Sequence, residues 1–180
     1  MKYMWDYFKN TSGATALEFA LTVPILIILL SGMYEVAMYI LLNNKMTRVS
    51  GTMSFLASRP GVTEASLTTL MNSADIIAKP FNFNQNGGIV ISQININQNA
   101  SMTIAWQRKV GIGVSRIGTA GSIPINLPNN IQLKSGQNLI IAESFYKYEP
   151  FIFNYYTFNN LIYKISTFTP RQGSVDLSPN

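Results

Sequence analysis

Residues 13–42 read GATALEFALTVPILIILLSGMYEVAMYILL, a long apolar stretch that opens with small residues and contains only two acidic ones. From Phe19 to Tyr34 it has no charged side chain. As a helix that rises about 1.5 Å per residue, Phe19 to Leu42 would extend over roughly 36 Å, more than the hydrocarbon thickness of about 30 Å in a bilayer. Because lipid offers the backbone no hydrogen bonds, the stretch predicts one membrane-spanning helix.

The two acidic residues lie towards opposite ends of this stretch. Glu18 and Glu35 would be separated by about 26 Å along a helix, so they would lie near the two faces of the hydrocarbon layer. A carboxylate at the centre of a membrane helix costs on the order of 2.5 to 3.5 kcal/mol, so each acid needs a partner or an interface. We interpret Glu35, beside Tyr34 and Tyr39, as an interfacial acid, with an intramembrane functional site as the alternative.

The helix is predicted to continue beyond the membrane. Apolar residues recur at steps of three and four as far as residue 56, and polar residues, Ser50 among them, occupy the other side. The apolar face consists of Met38, Leu42, Met46, Val49, Met53 and Leu56. Arg59-Pro60-Gly61 ends the helix. We therefore divide the chain into a leader (1–13), a transmembrane and continuing amphipathic helix (14–58) and an extracytoplasmic α+β domain (59–180).

The domain is predicted to contain a short helix followed by an antiparallel sheet. Thr63 to Ile77 has helical periodicity with Thr63 as its N-cap. Alternation and β-branched or aromatic residues then predict four strands, at Ile89–Ile96, Met102–Val110, Leu139–Tyr148 and Leu161–Phe168. The fold class is therefore α+β: a long N-terminal transmembrane helix continues into a small domain, in which the short helix packs on the sheet.

Two segments of the domain leave alternatives open. Gly111 to Asn138 has scattered glycines without the spacing of a phosphate loop, and we predict a flexible loop. The aromatic segment Pro150 to Asn160 covers the sheet or forms an exposed binding patch, with core packing favoured. Glu143 and Glu149 lie six residues apart, so on a regular strand they would share one face. We interpret them as solvated side chains, with a catalytic carboxylate pair as the alternative.

The composition excludes several classes of site. The chain has 180 residues with a formal net charge of +5, and it contains no cysteine and no histidine. Thiol or imidazole nucleophiles and metal sites that need either ligand are therefore absent. Its basic residues are scattered rather than clustered, so no nucleic-acid partner is predicted. We predict neither a cofactor nor a metal.

The N-terminus resembles a class III (type IV) prepilin signal: a leader with Lys2 and Lys9 ends in Gly13, and Glu18-Phe19 follows after four residues. Over nearly the whole chain, four segments in order resemble the TadE-like family of minor pseudopilins from bacterial tight-adherence (Flp) pilus systems. These segments are GATALEFALTVPILIILLSGMYEVAMY, MTIAWQRKV, NLIIAESFYKYEPFI (with its Tyr-x-Tyr-x-Pro element) and KISTFTPRQ.

The resemblance implies a role in pilus assembly and no enzymatic activity. A prepilin peptidase would cut between Gly13 and Ala14, and Glu18 would pair with the new N-terminus of a neighbouring subunit. Phe19 stands where the family favours Tyr, and Glu35 matches a second acidic position in a G-x-x-E element.

The implied partners are the peptidase, other pilins and pseudopilins, the inner-membrane assembly platform and the lipid bilayer. The implied location is the bacterial inner membrane, crossed once, with the N-terminus cytoplasmic and the domain periplasmic, and the cell surface or pilus after assembly.

Other interpretations remain open. A secretory signal has a shorter apolar core of roughly 7 to 15 residues and an A-x-A-like cleavage site, which is missing at the end of this run. A spanning helix that is never processed is the stronger alternative. In that case the chain would be a bitopic inner-membrane protein with a periplasmic ligand-binding or enzymatic domain.

Overall fold

The fold is given by a computed structural model, which describes residues 11–97, 101–128, 136–150, 161–170 and 177. A single helix, α1 (Thr11–Ala57), carries the apolar stretch and continues without a break through Pro24. Three short helices follow, α2 (Glu64–Asn72), α3 (Ala74–Ala78) and α4 (Phe83–Asn86). Four strands complete the fold: β1 (Gly87–Ile96), β2 (Met102–Gly111), β3 (Asn138–Lys147) and β4 (Leu161–Phe168). The predicted α+β class is confirmed.

The C-terminal part of α1 is built into the domain. Leu42, Met46, Val49 and Met53 are fully buried, as the apolar periodicity predicts. The polar side of the helix was predicted wrongly at Ser50, which is 1% exposed. Its hydroxyl donates to the Thr47 carbonyl at 3.0 Å, so the buried polar group keeps a hydrogen bond.

The predicted second helix is divided in two. Thr63 is the N-cap of α2, since its hydroxyl accepts from the Ser66 amide at 3.3 Å and the Ser66 hydroxyl accepts from the Thr63 amide at 2.8 Å. The helical run to Ile77 is interrupted at Ser73, whose hydroxyl donates to the Leu70 carbonyl at 2.6 Å. A serine that bonds its own backbone in this way favours a helix end over a helix interior.

The four strands form one antiparallel sheet in the order β2-β1-β3-β4. One face packs on α1: the Ser144 hydroxyl donates to the Met46 carbonyl at 3.0 Å, and the Ser54 and Ser166 hydroxyls lie 3.2 Å apart. Leu67 and Met71 of α2 join the core on this face. From Gly87 to Ile94, β1 is buried on both faces, because it lies inside the sheet and is covered on both sides. The predicted alternation is seen at its C-terminal end, where Ile94 and Ile96 are buried and Asn95 is half-buried.

Residues 112–128 cover the opposite face of the sheet. Within this described part, the segment predicted as a flexible loop contains no helix or strand, and it packs closely on β1, β2 and β3. Ile117 is fully buried in a second apolar cluster with Ile94, Ile104 and Ile141. The Gly121 amide donates to the Ile104 carbonyl at 2.8 Å, which fastens the loop to β2. The sheet is thus the middle layer of three.

Candidate functional site

The N-terminal part of α1, residues 13–41, projects from the domain with large apolar side chains exposed around its circumference. Leu17, Ile28 and Met33, for example, are each more than 60% exposed. Among the helices that the structure describes, α1 is the one long and apolar enough to span a membrane, with a mean hydropathy of 2.2 over its most apolar window. A helix that is apolar on all sides requires lipid or other helices around it, so this segment is a candidate membrane span.

Glu18 lies on this projecting segment, between the exposed side chains of Leu17 and Phe19. The hydroxyl of Thr22 donates to the backbone carbonyl of Glu18 at 2.7 Å. Among the described residues, no side chain forms an ion pair or hydrogen bond with the Glu18 carboxylate. Within the described part of the chain, the Glu18 carboxylate therefore lies on an apolar helix surface without a side-chain partner.

The predicted cleavage position lies in the first turn of the described helix. Gly13 and Ala14 are both exposed and helical. A Cβ atom added to Gly13 would meet nothing within 4 Å, so a larger residue fits there without disturbing the domain. The peptide bond between Gly13 and Ala14 is thus remote from the folded core.

Glu35 is connected to the domain. Tyr148 directly follows β3, and its hydroxyl donates a hydrogen bond to Glu35 Oε1. The Tyr148 ring also meets the Tyr39 ring edge-on, with centroids 5.5 Å apart. Burial of Tyr148, together with its bond to the Glu35 carboxylate, raises the pKa of this tyrosine above its usual value. Glu35 therefore lies where the candidate membrane span meets the domain, and Glu18 lies about 26 Å away by helix rise.

Residues 13–51 match the TadE-like protein family. The match contains Gly13, Ala14, Glu18, Phe19 and Glu35, and it ends within the part of α1 that packs on the sheet. It supports a protein associated with the Tad pilus. No curated protein and no solved structure matches the chain.

A cavity of about 200 Å³ opens beside Glu35, between α1 and the end of β3. The helix contributes Tyr34, Glu35 and Met38. The domain contributes Tyr146, Tyr148 and Glu149 from the end of β3 and the residues after it, with Phe81 and Asn86 from the region of α4. Sequence reasoning placed Glu35 beside Tyr34 and Tyr39 but missed Tyr148, for which the Tyr-x-Tyr-x-Pro element was the available signal.

The prediction of one solvated strand face was wrong for Glu143, whereas Glu149 is exposed as predicted. Glu143 is fully buried, and its carboxylate accepts hydrogen bonds from the Ser115 hydroxyl, the Arg116 amide at 2.9 Å and the Tyr163 hydroxyl at 2.8 Å. Glu149 lies beyond the end of β3 and pairs with Lys147 at 3.0 Å. The two acids therefore do not form a catalytic pair, because one is enclosed by the loop 112–128 and the other faces the cavity.

The environment of Glu143 also includes a cation. The Arg116 guanidinium lies 4.2 Å from the centroid of the Tyr163 ring. Burial of Tyr163, reinforced by the hydrogen bond to Glu143, raises the pKa of this tyrosine above its usual value, against the opposing effect of Arg116. These residues hold the loop against the sheet, which is a structural role.

The aromatic segment predicted between Pro150 and Asn160 lies, from residue 151 onwards, outside the described residues. In the part of the chain that the structure describes, no group of three or more acidic residues is placed to hold a metal ion.

Proposed function

We propose that the chain is a minor pseudopilin that takes part in the assembly of a tight-adherence (Flp) pilus. The observation that carries this proposal is the Glu18 carboxylate, exposed on an apolar helix that matches the TadE-like family. A pilus subunit packs such a helix against those of its neighbours, where an acid needs a cation. The domain then contacts other pilins, pseudopilins and the inner-membrane assembly platform. No catalytic step is required of this chain.

The cation comes from processing of the chain. A prepilin peptidase cuts between Gly13 and Ala14 and leaves an ammonium group on Ala14. Ala14 lies four residues before Glu18, so the new N-terminus of a subunit is about 6 Å along the helix axis from the Glu18 of the same subunit. A modest axial offset between two subunits therefore brings this N-terminus to the Glu18 carboxylate of the neighbouring subunit. The pair offsets the cost of a lone carboxylate, which reaches about 2.5 to 3.5 kcal/mol at the centre of a membrane helix and is smaller near the face of the hydrocarbon layer, where Glu18 is predicted to lie.

The proposed location is the inner membrane, with the leader in the cytoplasm and the domain in the periplasm. Lys2 and Lys9 favour a cytoplasmic N-terminus, whereas Lys45 and Arg48 oppose it mildly. The resemblance of the leader to a prepilin signal favours the cytoplasmic N-terminus, because a prepilin peptidase must reach the Gly13–Ala14 bond.

N-terminal sequencing and intact mass of the membrane-extracted protein, with and without the co-expressed peptidase, test the cleavage. We expect an N-terminus at Ala14 that depends on the peptidase and is lost in Gly13→Leu. Gly32→Leu is the matched control, because an added Cβ meets nothing within 4 Å at either glycine, and this variant should still be cut. An N-terminus that remains at Met1 in every sample would contradict the proposal.

Pairing of Glu18 is tested separately by Glu18→Gln. This variant should be cut as efficiently as the unaltered protein but should no longer co-purify with other pilins. Glu64→Gln, which alters an exposed acid paired with Arg108 on the domain surface, provides the control. Unchanged co-purification of Glu18→Gln would remove the proposed role of this residue.

The cavity beside Glu35 favours a second candidate function, a bitopic inner-membrane protein whose periplasmic domain binds a ligand. Its aromatic and acidic lining is the kind of concave surface that holds small molecules. This candidate requires no processing, so an uncut N-terminus in the first experiment would favour it.

A further inference from the structure

The cavity beside Glu35 lies at a defined depth if α1 spans the membrane, and the inference below rests on that part of the proposed function. The uncharged run of α1 ends at Tyr34, which lines the cavity, and Glu35, which follows it, lines the cavity as well. Tyrosine side chains at the end of an apolar run are typical of the headgroup layer of a bilayer, where a carboxylate such as that of Glu35 also costs less than at the helix centre. The cavity therefore opens where lipid headgroups lie.

The lining of the cavity selects for a cation. Glu35 and Glu149 both line it, and none of its described lining residues is basic, although the chain carries a net charge of +5. Aromatic rings form much of the remaining wall, and the rings of Phe81 and Tyr146 meet edge-on with centroids 6.1 Å apart. Carboxylates beside aromatic faces are the environment in which ammonium groups bind favourably.

The charges around the cavity also suit an anion just outside it. Lys147 pairs with Glu149 at 3.0 Å, and the Lys147 side chain is 65% exposed. It does not line the cavity itself. A zwitterion could thus place its cation among the rings and its anion near Lys147.

We propose that this cavity binds the primary ammonium of a phosphatidylethanolamine headgroup from the surrounding bilayer. A volume of about 200 Å³ greatly exceeds the roughly 15 Å³ needed for one water, so an ethanolammonium group fits. The lipid is favoured over a lysine of another subunit for two reasons. The headgroup layer supplies this zwitterion at the level of Glu35. A zwitterion also matches both the acidic side chains of the cavity, Glu35 and Glu149, and the neighbouring Lys147.

Native mass spectrometry of the full-length protein released from nanodiscs tests this proposal. The nanodiscs contain equal amounts of phosphatidylethanolamine and phosphatidylglycerol with the same acyl chains, and the retained lipids are counted. We expect about a fivefold preference for phosphatidylethanolamine. This is the preference that one partly desolvated ammonium group gains from its contact with aromatic rings and a carboxylate. Glu35→Gln should abolish the preference, whereas Glu64→Gln, which alters an acid outside the cavity, should keep it.

Two outcomes would overturn the proposal: equal retention of the two lipids by the unaltered protein, or an unchanged preference in Glu35→Gln. Equal retention would leave a lysine side chain of another subunit as the cation for this cavity. If Glu35→Gln fails to fold, as judged by circular dichroism, Glu149→Gln replaces it and should lower the preference. The intact masses of the same samples report cleavage at Ala14 independently, so failure of the lipid inference and failure of the proposed function can be told apart.

Discussion

At the residue scale, the most constrained side chain of the domain is Glu143, which has no exposed surface and three hydrogen-bond donors around it. Replacing it with alanine leaves the Ser115 hydroxyl, the Arg116 amide and the Tyr163 hydroxyl without their acceptor. We expect Glu143→Ala to lower the free energy of unfolding by about 3 kcal/mol, since buried unsatisfied polar groups carry their full desolvation cost.

Denaturant unfolding of the full-length protein in detergent, followed by the fluorescence of buried Trp106 in a Trp5→Phe background, measures this loss. Glu64→Ala is the control, because the Glu64–Arg108 pair is exposed and its loss should cost less than about 1 kcal/mol. Equal effects of the two substitutions would mean that the Glu143 network does not stabilise the loop.

The same network predicts a dependence on pH. Unfolded tyrosine titrates near pH 10, and burial with the Glu143 bond raises the pKa of folded Tyr163 above that value. Below about pH 10 both states are protonated and the contribution of Tyr163 to stability is complete. As the pH rises further, the unfolded state loses its proton first, so stability falls.

Tyr163→Phe should remove one titrating group and make this fall shallower by up to about 1.4 kcal/mol per pH unit. Unfolding midpoints measured from about pH 9 to pH 11.5 test the change in slope. The pKa of Tyr148 is raised for a similar reason, so part of the fall in stability with pH remains in Tyr163→Phe. An identical slope in Tyr163→Phe would show that Tyr163 does not contribute.

At the element scale, α1 combines an exposed apolar segment with a segment that completes the core. Leu41 and Leu42 are adjacent in α1, yet Leu41 is 37% exposed whereas Leu42 is fully buried. We expect Leu42→Ala to destabilise the domain by about 2 to 5 kcal/mol, the range for a buried leucine, and Leu41→Ala to have a much smaller effect. The Trp106 unfolding assay in detergent compares them, and equal losses would contradict the packing of α1 on the sheet.

At the scale of the whole molecule, the proposed topology places the domain and the N-terminus on opposite sides of one membrane. The chain contains no cysteine, so a single introduced cysteine is a unique label site. In cells with a permeabilised outer membrane, an impermeant maleimide should label Thr68→Cys, which alters an exposed residue of α2, before lysis. A leader cysteine, Tyr3→Cys, is placed in the uncut Gly13→Leu background so that the leader is retained, and it should be labelled only after lysis. The reverse pattern would contradict the topology.

Local patterns predicted the long helix, the start of α2 and the four strands, but not the interruption at Ser73 or the short helix α4. The apolar run from Phe19 to Tyr34 predicted the helix, alternation and β-branched or aromatic residues located the strands, and Thr63 marked the start of α2. Each of these signals depends on neighbours within a few residues. The resemblance at Gly13 to Phe19 was equally local, and the family match over residues 13–51 contains it.

By itself, then, the sequence determined which segments are helical, extended or membrane-compatible. Only the tertiary structure decided the strand order, the burial of Glu143 under the loop 112–128, and the meeting of Glu35 with Tyr148. Ser115 and Tyr163 are 28 and 20 residues from Glu143, and Tyr148 is 113 residues from Glu35. Such pairings are set by how the sheet packs between helix and loop, and no local periodicity records which distant side chains that packing brings together.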